Sequence, residues 1–125
     1  MAALPSLHEL EAEVMAEIWR LEEATVRAVA DAVNARSERA RSYTTYLTVL
    51  VRLDRKGFVA RRRVGKHDLY RPAVSRDEYR RTRSDADVTA LIDEYGDLAL
   101  AHFARRYSAL SPAQKRALRR LAGDD

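Results

Sequence analysis

The sequence predicts a mainly α-helical chain with one small β-hairpin, organised as an N-terminal domain over residues 1–75 and a helical region over residues 76–125. Three observations carry that prediction. Apolar residues recur at three- and four-residue steps along most of the chain, the period falls to two only between Phe58 and Pro72, and positive charge gathers in the middle of the sequence.

Leu7, Leu10, Val14, Ile18 and Leu21 mark a first amphipathic helix with Glu9, Glu13 and Glu17 outward. Trp19 lies near its apolar side and reads as a core aromatic. After Glu22-Glu23-Ala24, a short extended piece at Thr25-Val26 leads into a second helix with Val26, Val29, Ala30 and Val33 inward, ended by Asn34 or the Ala-Arg-Ser run after it. A loop across 36–41 delivers a third helix. Three short helices with a polar turn between the second and third predict a helix-turn-helix arrangement.

The third helix carries the most chemistry. Ser42 is placed to cap it, Leu47, Leu50 and Leu53 predict a buried seam, and Gly57 sits where a left-handed residue ends a helix. Its exposed face is expected to hold Tyr43, Thr44, Thr45 and Thr48. Short hydroxyls at a helix N-terminus can exchange hydrogen bonds with base edges or phosphates, and a threonine methyl can touch a thymine methyl. The expected duplex-contacting residues here are Arg41, Ser42, Tyr43, Thr44, Thr45, Tyr46, Thr48 and Arg52.

Phe58, Ala60, Arg62 and Val64 then alternate with Val59, Arg61 and Arg63, Gly65-Lys66 turns the chain, and Leu69-Tyr70-Arg71 returns as a second strand ending at Pro72. Arg61, Arg62, Arg63, Lys66 and Arg71 could lie along phosphate, while Tyr70 is expected to pack on the helices. A basic hairpin without base-edge partners gives sequence-independent attraction, so affinity is assigned to it and specificity to the third helix.

Beyond Ser75, which can cap the next helix, Val88, Leu91, Ile92 and Tyr95 form an apolar face that Gly96 ends. Leu98, Leu100, Ala101, Phe103, Ala104 and Tyr107 supply another helix, and Ser111-Pro112 opens a last one with Leu118 and Leu121 inward. Helices this short do not bury themselves well alone. A second copy is the simplest partner, giving a two-fold homodimer through Leu91, Ile92, Tyr95, Leu98, Phe103, Tyr107, Leu118 and Leu121. Packing back on the N-terminal domain in a monomer is the alternative.

Charge distribution says more than the net +4. Residues 1–35 hold two arginines against seven acids, residues 36–72 hold eleven Arg or Lys against three, and residues 73–125 hold ten against nine. The positive segment is the third helix and its hairpin, where a polyanion would dock. Zero cysteines exclude a disulfide scaffold and thiolate chemistry. No apolar run approaches the roughly 20 residues of a membrane span, and a cytoplasmic location is the expectation. His8, His67 and His102 lie far apart, the acids Asp93, Glu94 and Asp97 have no histidine partner, and no phosphate loop or nucleophile elbow occurs, so no enzyme, cofactor or metal is implied. Two other classes compete: a non-specific basic nucleic-acid binder, and a protein-interaction module of the same fold.

The run Ser42-Tyr43-Thr44-Thr45 through Arg52-Leu53, Arg55-Lys56-Gly57 and an apolar strand resembles the recognition helix of the BlaI/MecI/CopY penicillinase-repressor family. The opening Leu7–Trp19, with Glu11-Ala12-Glu13-Val14-Met15 and Ile18-Trp19, resembles that family's first helix, and Thr25–Val29 the start of its second. The resemblance covers nearly the whole chain, most strongly through Pro72. It implies a winged helix joined to a helical dimerisation region, repression of operator DNA, and control of β-lactam-resistance-type genes. It also implies a membrane sensor-protease pathway that leads to cleavage at an Asn-Phe bond; the matching place here is His102-Phe103, with histidine where the family has asparagine. The family's copper-responsive branch uses C-terminal cysteine pairs, which this chain lacks, so copper sensing is disfavoured.

Overall fold

In a computed structural model that describes residues 4–123, the apolar periodicity becomes α1 (Glu9–Leu21), α2 (Val26–Arg36) and α3 (Tyr43–Arg55), with β1 (Ala24–Thr25) between the first two. The period-two segment becomes β2 (Val59–Val64) and β3 (His67–Pro72); α4 (Arg76–Tyr95), α5 (Asp97–Ser108) and α6 (Pro112–Gly123) follow. The expected fold class holds: mostly helix, with a small antiparallel sheet.

The strands lie in the order β1-β3-β2. Val59 pairs with Pro72 and Val64 with His67 around a turn in which Gly65 takes φ +60°, while Ala24 pairs with Tyr70 and Thr25 with Leu69. The extended piece expected at Thr25-Val26 is thus shifted by one residue and is a third strand: Thr25 is the N-cap of α2, accepting from the Ala28 N–H at 3.1 Å, and Val26 already belongs to the helix.

Val14, Met15 and Ile18 of α1, Val29 and Val33 of α2, and Tyr46, Val49, Leu50 and Leu53 of α3 close the core over Phe58, Val59 and Tyr70. Tyr70 packs there as expected, with 1% of its surface exposed. Trp19 is half-buried, and its Nε1–H donates to the Val74 carbonyl at 2.8 Å. α3 stops where the sequence says it should. Gly57 at φ +86° donates to the Asp54 carbonyl and Phe58 to the Leu53 carbonyl, the paired bonds that satisfy the last carbonyls of a helix. One acid departs from expectation: Glu17 does not face outward but is buried, because Arg20 at 2.8 Å and Arg36 at 3.3 Å neutralise it.

The chain forms two compact units, one running through Arg83 and the other starting at Ser84. The first extends past the 1–75 boundary expected from sequence. The Tyr79 hydroxyl accepts from the Leu7 N–H at 3.1 Å, its ring lies 5.5 Å from Phe58 and 5.9 Å from Trp19, and Arg83 donates to the Leu4 carbonyl. The second unit holds the remainder of α4 with α5 and α6. Among its described residues Ala99 alone is buried, and Leu98 and Leu121 expose 65% and 73% of their surface. No helix among the described residues is long and apolar enough to cross a membrane.

Candidate nucleic-acid interface

The start of α3 is fixed by its own hydroxyls. Ser42 Oγ accepts from the Thr45 N–H at 3.2 Å and lies 2.9 Å from Thr45 Oγ1, so the first turn is capped without help from elsewhere. Tyr43, Thr44 and Thr48 are exposed on the resulting face, and Thr45, tied into the cap, is half-buried. Thr48 Oγ1 donates to the Thr44 carbonyl at 3.0 Å, which spends its proton and leaves its methyl and acceptor lone pairs outward. The Arg27 guanidinium covers the Tyr43 ring at 5.5 Å and limits its freedom.

Tyr46 is a correction. Expected among the DNA-contacting residues, it is fully buried, and its hydroxyl donates to Asn34 Oδ1 at 2.6 Å. Asn34 also accepts from the Arg41 N–H at 2.9 Å and donates to the Arg41 carbonyl at 3.0 Å. One amide side chain therefore fixes the turn between α2 and α3 and ties it to α3 itself. Arg41 is half-buried, its Nη1 lying 3.7 Å from Glu13 Oε2. Sequence named Asn34 only as a possible end of the second helix and gave Arg27 no role, although an asparagine at a helix end, able to bond backbone across a turn, is a legible signal.

At the far end of α3, Lys56 Nζ sits 2.9 Å from both oxygens of Glu11, and Arg52 Nη1 lies 4.0 Å from Oε2. Glu11 exposes 1% of its surface. Burial pushes its carboxyl up, but the His8 N–H bond and Lys56 outweigh that and hold it below the usual carboxylate range. α3 is thus gripped at both ends by polar contacts from α1 and α2. Arg52, expected on the DNA face, is exposed but leans toward Glu11.

The hairpin presents its basic residues on both faces. Arg62 makes a two-pronged contact with Glu23, Nε to Oε2 and Nη2 to Oε1, each 2.8 Å; the contact holds the Glu23 carboxyl below its ordinary range and raises the guanidinium. On the opposite face Asp68 lies 3.3 Å from Arg63 Nη1 and 3.9 Å from Arg61 Nη1. Among the described residues Lys66 and Arg71 make no ion pair within 4 Å and both are exposed, although the Arg71 charge also helps to hold the Glu23 carboxyl down. A groove of about 430 Å³ is lined by Thr25 and Arg27 of the second-helix start, Tyr43 and Leu47 of α3, and Arg63, Lys66, His67 and Asp68 of the hairpin. This groove joins the hairpin to the Tyr43 side of α3 only; Thr44 and Thr48 line a separate pocket with Leu10, Ser42, Thr45, Val49 and Arg52.

In the second unit, Leu91, Tyr95, Leu98, Ala99, His102 and Phe103 line an apolar groove of about 410 Å³. Ile92, Leu118 and Leu121 are exposed outside its lining, and Tyr107 is half-buried beneath Lys115 at 5.3 Å. The His102-Phe103 bond lies inside α5, with Arg105 Nη2 2.8 Å from His102 Nδ1.

A family model described as penicillinase repressor matches residues 7–123. The chain belongs to that family. It is 39% identical over 125 residues to a protein called transcriptional regulator BlaI in Mycobacterium tuberculosis, found in strains CDC 1551 / Oshkosh and ATCC 25618 / H37Rv, across 97% of this chain and 88% of the relative. Among solved structures it is similar to the DNA-binding domain of the repressor BlaI, with TM-score 0.54 and 28% identity over 63% of this chain and 94% of that one. It is also similar to the monomeric form of Bacillus licheniformis BlaI in complex with the blaP half-operator, with TM-score 0.52 and 26% identity over the same shares. A winged helix-turn-helix with α3 as the candidate reading helix and β2–β3 as the wing is the architecture of this family member.

Proposed function

We propose that this chain is a sequence-specific DNA-binding transcriptional repressor that acts as a homodimer on a palindromic operator. The observation that carries the reading is the α3 face. Tyr43, Thr44 and Thr48 stand exposed on a helix whose start is held by Ser42 and Asn34 and whose end is held by Glu11, beside a basic wing, in a chain whose similar structures include a domain bound to a half-operator. α3 seats in the major groove, where its hydroxyls and methyls meet base edges, and Arg61, Arg62, Arg63, Lys66 and Arg71 face the backbone.

The exposed apolar face of the second unit supports self-association. Leu91, Tyr95, Leu98 and Phe103 leave a groove open to solvent in one copy, and a second copy would cover it. Two weak readers joined in this way occupy two half-sites at high effective concentration. Release by a membrane sensor-protease pathway at His102-Phe103, in control of β-lactam-resistance-type genes from the cytoplasm, completes the proposal; because the bond is helical, α5 must open locally before a protease can take it. Selection of bound duplexes from a randomised pool tests the reading. The expected result is enrichment of a palindrome with half-sites about one helical turn apart. A recovered pool indistinguishable from the input would refute sequence-specific repression.

A further inference from the structure

The wing is the most basic part of the chain, yet three of its five cations are already held. Arg61, Arg62 and Arg63 engage Asp68 and Glu23, and these pairs lie on opposite faces of the same strand. Asp68 is directly across from Arg63 in the ladder, whereas Glu23 comes from the turn between α1 and β1, 39 residues from Arg62 in sequence. None of these contacts is needed to form the hairpin, which has a full backbone ladder from Val59–Pro72 to Val64–His67. Exposed ion pairs add little to folding. They do change what a polyanion meets. An arginine already bonded to a carboxylate must exchange it for phosphate, and the abandoned carboxylate then repels the backbone.

We propose that Glu23 and Asp68 are specificity-determining residues of the wing. By holding Arg61, Arg62 and Arg63 in internal ion pairs, they withhold those cations from DNA that does not seat α3 and yield them to phosphate only on a duplex that does. On an unrelated duplex the wing skims the backbone without a fixed position, and the ion pairs persist. On the preferred duplex α3 is anchored in the groove, the wing is pressed against one stretch of backbone, and the exchange goes forward. This inference rests on the DNA-binding reading.

The test uses the full chain, a duplex recovered by the wild type from a randomised pool, and a scrambled duplex of equal length and composition, titrated at several salt concentrations. The variants are Glu23→Gln and Asp68→Asn, singly and together, with Glu23→Asp to retain the charge. The double variant should bind the scrambled duplex about tenfold more tightly near 0.1 M salt, with the slope of log affinity against log salt steepened by about one unit for each arginine that gains a phosphate. Affinity for the recovered duplex should change less, so the ratio falls, and Glu23→Asp should keep the wild-type ratio. An unchanged ratio, or equal weakening on both duplexes, overturns the proposal even with the fold intact by circular dichroism. A wild type that holds no duplex overturns the DNA-binding reading itself, and this inference with it.

Discussion

Thr44 and Thr48 stand exposed on α3 while Thr45 and Tyr46, next to them in sequence, are drawn inward, so under the proposed function single residues separate reading from support. Replacing Thr44 with Ala removes a hydroxyl and a methyl from the outer face without touching the cap. It should cost about 1–3 kcal/mol on the preferred duplex and little on a scrambled one, measured by paired titrations. Tyr46→Phe removes only the 2.6 Å bond to Asn34 and should lower stability by about 1 kcal/mol, read by thermal unfolding, with no change in discrimination between duplexes. The Ser42 cap and the Gly57 stop were legible because each is local chemistry, and of the expected outer face Tyr43, Thr44 and Thr48 are exposed while Thr45 is half-buried in the cap. Tyr46 was misread because the inward stripe is Tyr46, Val49, Leu50 and Leu53, a complete i, i+3, i+4, i+7 set, whereas a seam of leucines alone, begun at half-buried Leu47, kept Leu50 and Leu53 but left out Tyr46 and Val49.

At the scale of elements, α1 does more than supply core. Its buried Glu11 grips the C-terminal end of α3 through Lys56, 45 residues away, as Asn34 of α2 grips the N-terminal end. Because the Glu11 carboxyl is held below its unfolded value, its contribution is complete above about pH 4.3, the ordinary glutamate value, and is lost as pH falls through the lower folded value. Glu11→Gln should therefore destabilise the protein by about 2 kcal/mol near neutral pH, and the gap to the wild type should close in strong acid, as followed by denaturant titration across pH. A gap that stays constant with pH would show that the charge on Glu11 does not stabilise the fold. Such pairings, like those of Glu23 with Arg62 and of β1 with β3, were invisible in the sequence, since periodicity names faces but not which distant segments meet. The helices and the hairpin were legible because their periods differ.

At the scale of the molecule, the first unit has its own core and the second exposes most of its apolar side chains, the difference on which the proposed division into a reader and an assembly region rests. A fragment ending at Arg83 keeps the Tyr79 contacts with Leu7, Trp19 and Phe58 and should fold as a monomer that binds a half-site weakly, checked by circular dichroism, light scattering and titration. Leu98, Phe103, Leu118 and Leu121 were legible as apolar side chains, and the structure leaves them exposed in one chain; in the proposed homodimer, which copy covers which face is not legible, because one chain's sequence carries no register for a second. The most direct test of two joined readers is to titrate the full chain against its selected palindrome and against the same duplex with one half scrambled, measuring stoichiometry by sedimentation. Two chains per palindrome and a loss of about 100-fold on the half-scrambled duplex are expected. One chain per duplex, with equal affinity for both, would contradict the account.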